Sequence, residues 1–262
     1  MNALNSKEKR EGLIYALLSI FAFLSIWQGA VVFTEIKKIM PDPISVFTAF
    51  YNALFEPIGE KIILEHVLAS LLRVFSGYFL ACLIGVAIGI IMGCSKIAEA
   101  VIKPVFEVLR PIPGLAWIPI SILWFGIGEG AKVFIICVSA SVSIVVNAYN
   151  GAKSVDPVLI GASRMLGANQ FQQFFYIILP SSVPSIFAGL QVGLSASWMA
   201  VLAAEMVRSS EGVGWIIITG MEGGDTVQIL VGMISIALVG LLLATLLRAI
   251  ERRLCEWNIR GT

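Results

Sequence analysis

The sequence predicts an all-α integral membrane protein with six transmembrane helices, and two observations carry that prediction. The first is composition: the 262 residues are 58% hydrophobic and only 13% charged, with a mean hydropathy of +0.92. A soluble domain is about one quarter charged, so most of this chain's outer surface must face something other than water, and lipid is the natural environment. The second is pattern. Apolar residues fall into six continuous runs near the ~20 residues a helix needs to cross the hydrocarbon layer. The runs do not alternate polar with apolar, which excludes a transmembrane β-barrel. Residues 1–262 read as a single transmembrane domain, without repeats, low-complexity tracts or a soluble module.

In chain order, the first span is expected at about 13–33. Lys7, Lys9 and Arg10 precede it, as in a secretory signal peptide. The apolar stretch is too long for a signal core and no small-x-small cleavage site follows, so it reads as an uncleaved span. The others are expected at about 71–93, 112–127, 133–149, 184–207 and 229–250; the third is short and carries Pro113 and Pro119. Between the first two, Pro41-Asp42-Pro43 opens a stretch where Ile44, Phe47, Phe50 (or Tyr51) and Leu54 recur at helical spacing. That pattern predicts a short helix lying on the membrane or on the bundle. Small residues mark where spans touch. Gly77, Ala81, Gly85, Gly89 and Gly93 form one stripe, and Gly189, Gly193 and Ser197 another. Both predict close helix crossings, because helices in lipid associate through small residues.

Short-loop charge orients the chain. With a cytoplasmic N-terminus, the inner side holds Lys7, Lys9, Arg10, Lys96, Lys103, Arg110, Lys153, Arg164, Arg248, Arg252, Arg253 and Arg260, twelve basic residues. The outer side holds Lys37, Lys38, Lys61, Arg73, Lys132 and Arg208, six. Both termini are therefore expected in the cytoplasm.

The inner loop at 150–183 has its own organisation. Asp156-Pro157 is a helix-start signal. Apolar and small residues share one face from Val158 to Leu166, and Gly167 ends that helix with a sharp change of direction. A second amphipathic stretch is expected from Phe171 to Leu179, after which Pro180 and Pro184 close the loop and open the next span.

This loop resembles the signature of bacterial ABC-importer permeases: an EAA triplet, a glycine four residues later, nine residues, then I-x-L-P. Gly161-Ala162-Ser163 holds the triplet position, Gly167 the glycine, and Ile177-Ile178-Leu179-Pro180 the closing motif. Gly161 stands where the family usually has Glu. The resemblance extends from about Pro41 to the C-terminus and points to the nitrate, sulfonate and taurine group. It rests on Pro41-Asp42-Pro43, Ala69-Ser70-Leu71-Leu72-Arg73-Val74 with Gly77, Arg110-Pro111-Ile112-Pro113, Pro119, Phe125-Gly126-Ile127-Gly128-Glu129, Gly189-Leu190, Ala196-Ser197-Trp198, Ala204-Glu205 and Gly212-Val213-Gly214. Gln191 follows the Gly-Leu pair where an Arg is expected.

The resemblance implies a type I ABC importer permease fold and a bacterial inner-membrane location. Gly161, Ala162, Ser163, Leu166, Gly167, Ile177, Leu179 and Pro180 would form the coupling helix and its surroundings. The partners implied are a second copy of the chain, two cytoplasmic ATPase subunits that hold ATP and Mg, and a periplasmic or lipid-anchored solute-binding protein outside. Implied substrates are sulfonates, taurine, nitrate or related oxyanions, aromatic acids, and thiamine or riboflavin precursors.

The residues restrict the chemistry further. No G-x-x-x-x-G-K-[ST] phosphate loop is present, nor a G-x-S-x-G, H-E-x-x-H or dinucleotide fingerprint, so the chain reads as a transport subunit rather than an enzyme. A net charge of +1 offers no nucleic-acid footprint. His66 is the sole histidine, and Cys82, Cys94, Cys137 and Cys255 form no C-x-x-C pair, so no cofactor or metal is expected on this chain. Candidate translocation-path residues are Asn147, Gln191, Ser195, Trp198 and Glu205. For the polar ones, helix–helix hydrogen bonding is the competing reading, and for Trp198 a packing role. Glu205 is either a polar gate or cation partner, or an interfacial residue paired with Arg208. Arg73 opens the second span, where its length would let it snorkel to the outer interface. A secondary transporter or channel would call for inverted repeats, interrupted helices or several mid-membrane charges. A non-transporting scaffold would leave the Gly167-to-Pro180 spacing unexplained.

Overall fold

A computed structural model describes residues 2–34, 36, 40–207 and 209–254. Lys37, Lys38, Arg208, Cys255 and Arg260 lie outside the described residues. The elements are α1 (Asn2–Phe33), α2 (Pro43–Asn52), α3 (Ile63–Cys94), α4 (Lys96–Leu109), a 3₁₀ turn (Gly114–Trp117), α5 (Ile118–Phe125), α6 (Glu129–Lys153), α7 (Pro157–Met165), α8 (Gln170–Gln173), a π turn (Phe174–Ile178), α9 (Leu179–Val207), α10 (Val213–Gly223) and α11 (Thr226–Leu254). Among the described residues there is no strand. Five helices are long and apolar enough to cross a membrane: Arg10–Phe33, Ile63–Cys94, Glu129–Lys153, Gln170–Val207 and Thr226–Glu251.

The expected third span is not a single helix. Around 112–127 the chain forms only the 3₁₀ turn and α5, which lie at 88° to α4. Twelve residues rise about 18 Å, short of the ~30 Å hydrocarbon layer. Pro111 and Pro113 break the backbone between the two arms, since a residue before proline is pushed out of the α region. A sixth span exists only if the bent pair counts as one.

The long helices extend beyond the apolar runs that announced them. The second begins at Ile63 rather than Leu71, and the fourth covers 129–153 rather than 133–149. Hydropathy falls at His66, Arg73, Glu129 and Lys132, but the backbone stays helical where such groups find partners. The fifth departs furthest. Pro180 and Pro184 do not open it; they lie inside one helix running from Gln170 to Val207. Proline lacks an N–H and its ring crowds the carbonyl four residues earlier. For Pro180 that carbonyl belongs to Tyr176, within the π turn, whose wider winding relieves the crowding.

The chain separates into two compact units. One comprises residues 1–63 and 216–234. In it Trp27 donates to the Pro41 carbonyl at 3.1 Å, and the Asp42 carboxylate caps α2 at the Ser45 N–H. Helix α2 buries Pro43 and Val46 and leaves Ile44, Phe47 and Tyr51 exposed. Gln228 ties α11 to α10 at the Ile216 carbonyl and the Thr219 hydroxyl.

The other unit comprises residues 64–215 and 235–262. Its centre is α6, flanked by α3 and α9. The glycine stripe of α3 lies directly on α6: a Cβ at Gly77 would meet Ile136 at 2.7 Å, one at Gly85 Ile144 at 2.9 Å, and one at Gly89 Ala148 at 2.6 Å. The α9 stripe packs on an adjoining side of the same helix and shares Ile144 with α3: a Cβ at Gly189 would meet Asn147 at 2.7 Å and one at Gly193 Ile144 at 2.9 Å. Ile136, Ile144, Val74, Val201 and Ala140 are fully buried between these helices.

Candidate functional site

Two constructions in the second unit stand at the two ends of α6. After its C-terminal end comes the loop. Asp156 accepts the Val158 N–H at 2.8 Å and starts α7. The helix ends in a Schellman motif: the Gly167 N–H donates to the Arg164 carbonyl and the Ala168 N–H to the Ser163 carbonyl, each at 3.0 Å. Gly167 has φ +81°, a conformation that costs other residues about 1–2 kcal/mol. Asn169 and Gln172 then cap α8 reciprocally, at 2.8 and 2.9 Å.

Of the coupling residues named from sequence, Ser163 is buried, Gly161, Ala162, Ile177 and Leu179 are half-buried, and Leu166, Gly167 and Pro180 are exposed. The apolar residues that project are Val158, Met165 and Leu166, which are 73%, 85% and 88% exposed, and Phe171 beyond the glycine, 70% exposed. A Cβ on Gly161 would meet nothing within 4 Å. The loop is therefore a short helix held by its own caps, with an apolar tip.

At the N-terminal end of α6 lies an ion cluster with a buried centre, Arg73, Glu205 and Lys132, and the exposed Glu129 at its edge. Arg73 on α3 is 6% exposed and does not snorkel. Its Nε donates to Glu129 at 2.6 Å, Nη1 to Glu205 at 2.7 Å, and Nη2 to Glu211 at 3.0 Å. Lys132 donates to Glu129 and to the Ser209 hydroxyl, both at 2.9 Å. Glu205, on α9, is fully buried. Its carboxylate also takes the Gly214 N–H at 2.9 Å and the Ser70 hydroxyl at 2.8 Å, and Ser70 Oγ accepts the Val213 N–H at 2.9 Å. The Gly212 N–H donates to His66 Nδ1 at 3.1 Å, and His66 stacks on Trp215 with centroids 5.1 Å apart. Gly212 has φ +114°, and a Cβ there would overlap the Glu205 carboxylate. The cluster thus pins the 209–214 turn onto three helices.

Glu205 takes Arg73 as its partner; the alternative partner, Arg208, lies outside the described residues. The motifs Ser70/Arg73, Glu129, Ala204-Glu205 and Gly212-Val213-Gly214, read separately along the chain, are one site. His66 and Ser70 escaped notice as site residues because their partners are far off in sequence, 146 and 135 positions away.

Three of the five candidate path residues come together, and two lie elsewhere. Gln191, Ser195 and Trp198 line one cavity of about 410 Å³ with Leu243, Leu247 and Arg248. Gln191 donates to the Glu251 carboxylate, and the Trp198 N–H to the Ile236 carbonyl at 3.1 Å. Asn147 instead lies against Gly189 and donates to the Ser143 carbonyl on its own helix. Glu205 belongs to the ion cluster. Ser139, Ser141, Ser143 and Ser195 all donate to carbonyls three or four residues back on their own helices.

Comparison with known proteins agrees with this architecture. Residues 85–255 match the family described as binding-protein-dependent transport system inner membrane component. The chain is 37% identical over 194 residues to the taurine transport system permease protein of Escherichia coli, covering 74% of this chain and 70% of that protein. It is 33% identical over 244 residues to the nitrate import permease protein of Synechocystis, covering 91% and 88%. A solved chain of the MetNI methionine ABC transporter in an inward-facing conformation has the same fold, with a TM-score of 0.65 at 21% identity over 73% of this chain and 95% of that one. The chain belongs to the family of binding-protein-dependent transport system inner membrane components, the permease subunits of ABC importers.

Proposed function

We propose that this permease subunit works as a homodimer whose α7 knobs dock into two cytoplasmic ATPase subunits, and that it imports a small sulfonate, taurine, nitrate or similar oxyanion. One observation carries the coupling reading. Helix α7 is capped at both ends by its own residues, yet Met165 and Leu166 at its tip are 85% and 88% exposed. A rigid knob with an apolar tip transmits rigid-body motion when a partner closes around it. Two ATPases that close on ATP and Mg would move two such knobs and the spans behind them. The chain contributes no ATPase chemistry of its own.

The substrate class rests on the taurine and nitrate importers among the relatives. A solute-binding protein, periplasmic or lipid-anchored, would deliver the substrate from outside. Residues 1–262 act as one permease domain with both termini in the cytoplasm, as the twelve-to-six division of basic residues favours.

The test is a mild-detergent pull-down of tagged protein from its own cell, with mass spectrometry of what accompanies it. Co-purification of an ATPase subunit near one-to-one is the expected result. A chain that emerges intact and alone would overturn the coupling assignment and leave a secondary transporter or channel as the reading.

A further inference from the structure

The C-terminal ends of α3 and α6, with one side of α4, enclose a second cavity of about 280 Å³. Met92, Phe106 and Val146 give it an apolar wall, and Lys103, Arg110, Tyr149 and Asn150 a polar one. Glu107, the one acid among the lining residues, lies 3.7 Å from Arg110. Beside the cavity, two ammoniums share one carboxylate. Lys103 is 3.6 Å from Glu99 Oε1, and Lys153 contacts the same oxygen. The Tyr149 hydroxyl donates to that oxygen too, while both ammoniums lie over its ring, 5.2 and 5.1 Å from the centroid. Three cations, Lys103, Arg110 and Lys153, thus face two anions, Glu99 and Glu107, which leaves one positive charge uncompensated beside a cavity with hydrogen-bond donors.

Depth identifies what reaches this cavity. Helix α3 has 32 residues and is about 48 Å long at 1.5 Å per residue, longer than the ~30 Å hydrocarbon layer and comparable to the whole bilayer with its headgroups. Met92 is two residues from its end, and Tyr149 is four from the end of α6. The cavity therefore lies at headgroup level, where basic pockets between spans recognise anionic lipid. On α4, Ile97, Val101, Val105 and Val108 are 79%, 65%, 60% and 73% exposed. Their spacing of four, four and three residues makes one uncharged stripe, suited to acyl chains. An anion free in solution has no use for such a stripe or for the cavity's apolar wall.

We propose that this cavity holds the phosphate of an anionic phospholipid, with Lys103, Arg110 and Asn150 as its donors. The site follows from packing and charge, independently of which solute is carried.

The test reconstitutes the full chain in nanodiscs of mixed phosphatidylglycerol and phosphatidylcholine, and reads by native mass spectrometry which lipid stays bound as detergent is added. The wild type should retain phosphatidylglycerol preferentially. Lys103→Gln with Arg110→Gln should lose about thirtyfold of that preference, at about tenfold or less per cation. Lys61→Gln, in the other unit, should keep it. If the double variant fails to fold, Lys103→Gln alone and Arg110→Gln alone each lower the preference in part. Equal retention of both lipids by wild type, or unchanged preference in the variants, overturns the proposal. So does equal stabilisation by millimolar inorganic phosphate in pure phosphatidylcholine, which would make this a site for a free anion.

Discussion

The two ends of α6 carry opposite kinds of construction. At one, the buried Arg73, Glu205 and Lys132 are joined to the part-buried Glu211 and the exposed Glu129 by charged hydrogen bonds of 2.6 to 3.0 Å. At the other, the loop satisfies its own backbone and turns Met165 and Leu166 outward. Buried charge with complete partners fixes geometry, because leaving any member unpaired is costly. Exposed apolar surface on a rigid frame does the reverse: it contributes nothing to the isolated chain and gains only when a partner covers it. On the reading proposed above the first region is a clamp and the second an interface, and substitutions should separate them.

The largest effect is expected at Arg73. Among the described residues Arg73 carries the one guanidinium that reaches Glu205, so Arg73→Ala leaves a fully buried carboxylate with the neutral donors Ser70 and Gly214, at a cost of about 3–5 kcal/mol. Thermal unfolding in detergent should show a large loss of stability and a poor yield of folded chain. Replacing both partners, with Arg73→Met and Glu205→Gln, should recover much of that stability, since the uncompensated charge goes with them. If the single variant is as stable as wild type, the cluster is not a clamp. If the double variant is worse than the single, the pair has a role beyond charge balance.

Effects at the loop should be of a different kind. Leu166→Ser removes an apolar side chain already in water, so the unfolding temperature should stay within a degree or two. Burial of a leucine in a partner groove contributes about 1.5–3 kcal/mol, so recovery of the ATPase in the pull-down should fall about tenfold or more. Gly167→Glu combines both effects. Its backbone needs φ +81°, which costs about 1–2 kcal/mol for a residue with a side chain, and a charge then follows the apolar tip. Membrane insertion should persist while ATPase assembly fails. An intact complex with normal transport in Gly167→Glu would count against the interface.

The loop was legible from sequence and the clamp was not, for one physical reason. The caps of α7, at Asp156-Pro157 and Gly167, act within five residues of themselves, so their chemistry is written where it operates. Arg73 and Glu205 are 132 positions apart, and nothing local to Arg73 says that it turns inward rather than snorkelling. The span positions were visible in hydropathy. Their ends were not, because His66, Lys132 and Gln173 look like water-facing residues until burial shows otherwise. The bend between α4 and α5 was half visible: Pro111 and Pro113 announce a break, but the stripe that makes α4 a separate amphipathic helix appears only once its other side is seen against Tyr149 and Lys153. Gln191 is an intermediate case. Its departure from the expected arginine stands in the sequence, and its partner, Glu251, comes from 60 residues on.

The smallest expected effect is at Gly161, and it bears most directly on what the interface requires. The family usually has Glu there, yet a Cβ at this position meets nothing within 4 Å. The fold therefore does not exclude a side chain, and Gly161→Ala should stabilise α7 by up to about 1 kcal/mol through helix propensity alone. Gly161→Glu should fold equally well and leave the isolated chain unchanged. The two variants then ask whether the partner groove has closed over the missing side chain. If Ala is neutral in ATPase recovery and Glu lowers it, the groove approaches the α7 backbone closely and is not built for a carboxylate. If Glu raises recovery, the groove keeps a donor for an acid this chain lacks, and coupling rests on the apolar tip with one contact unused.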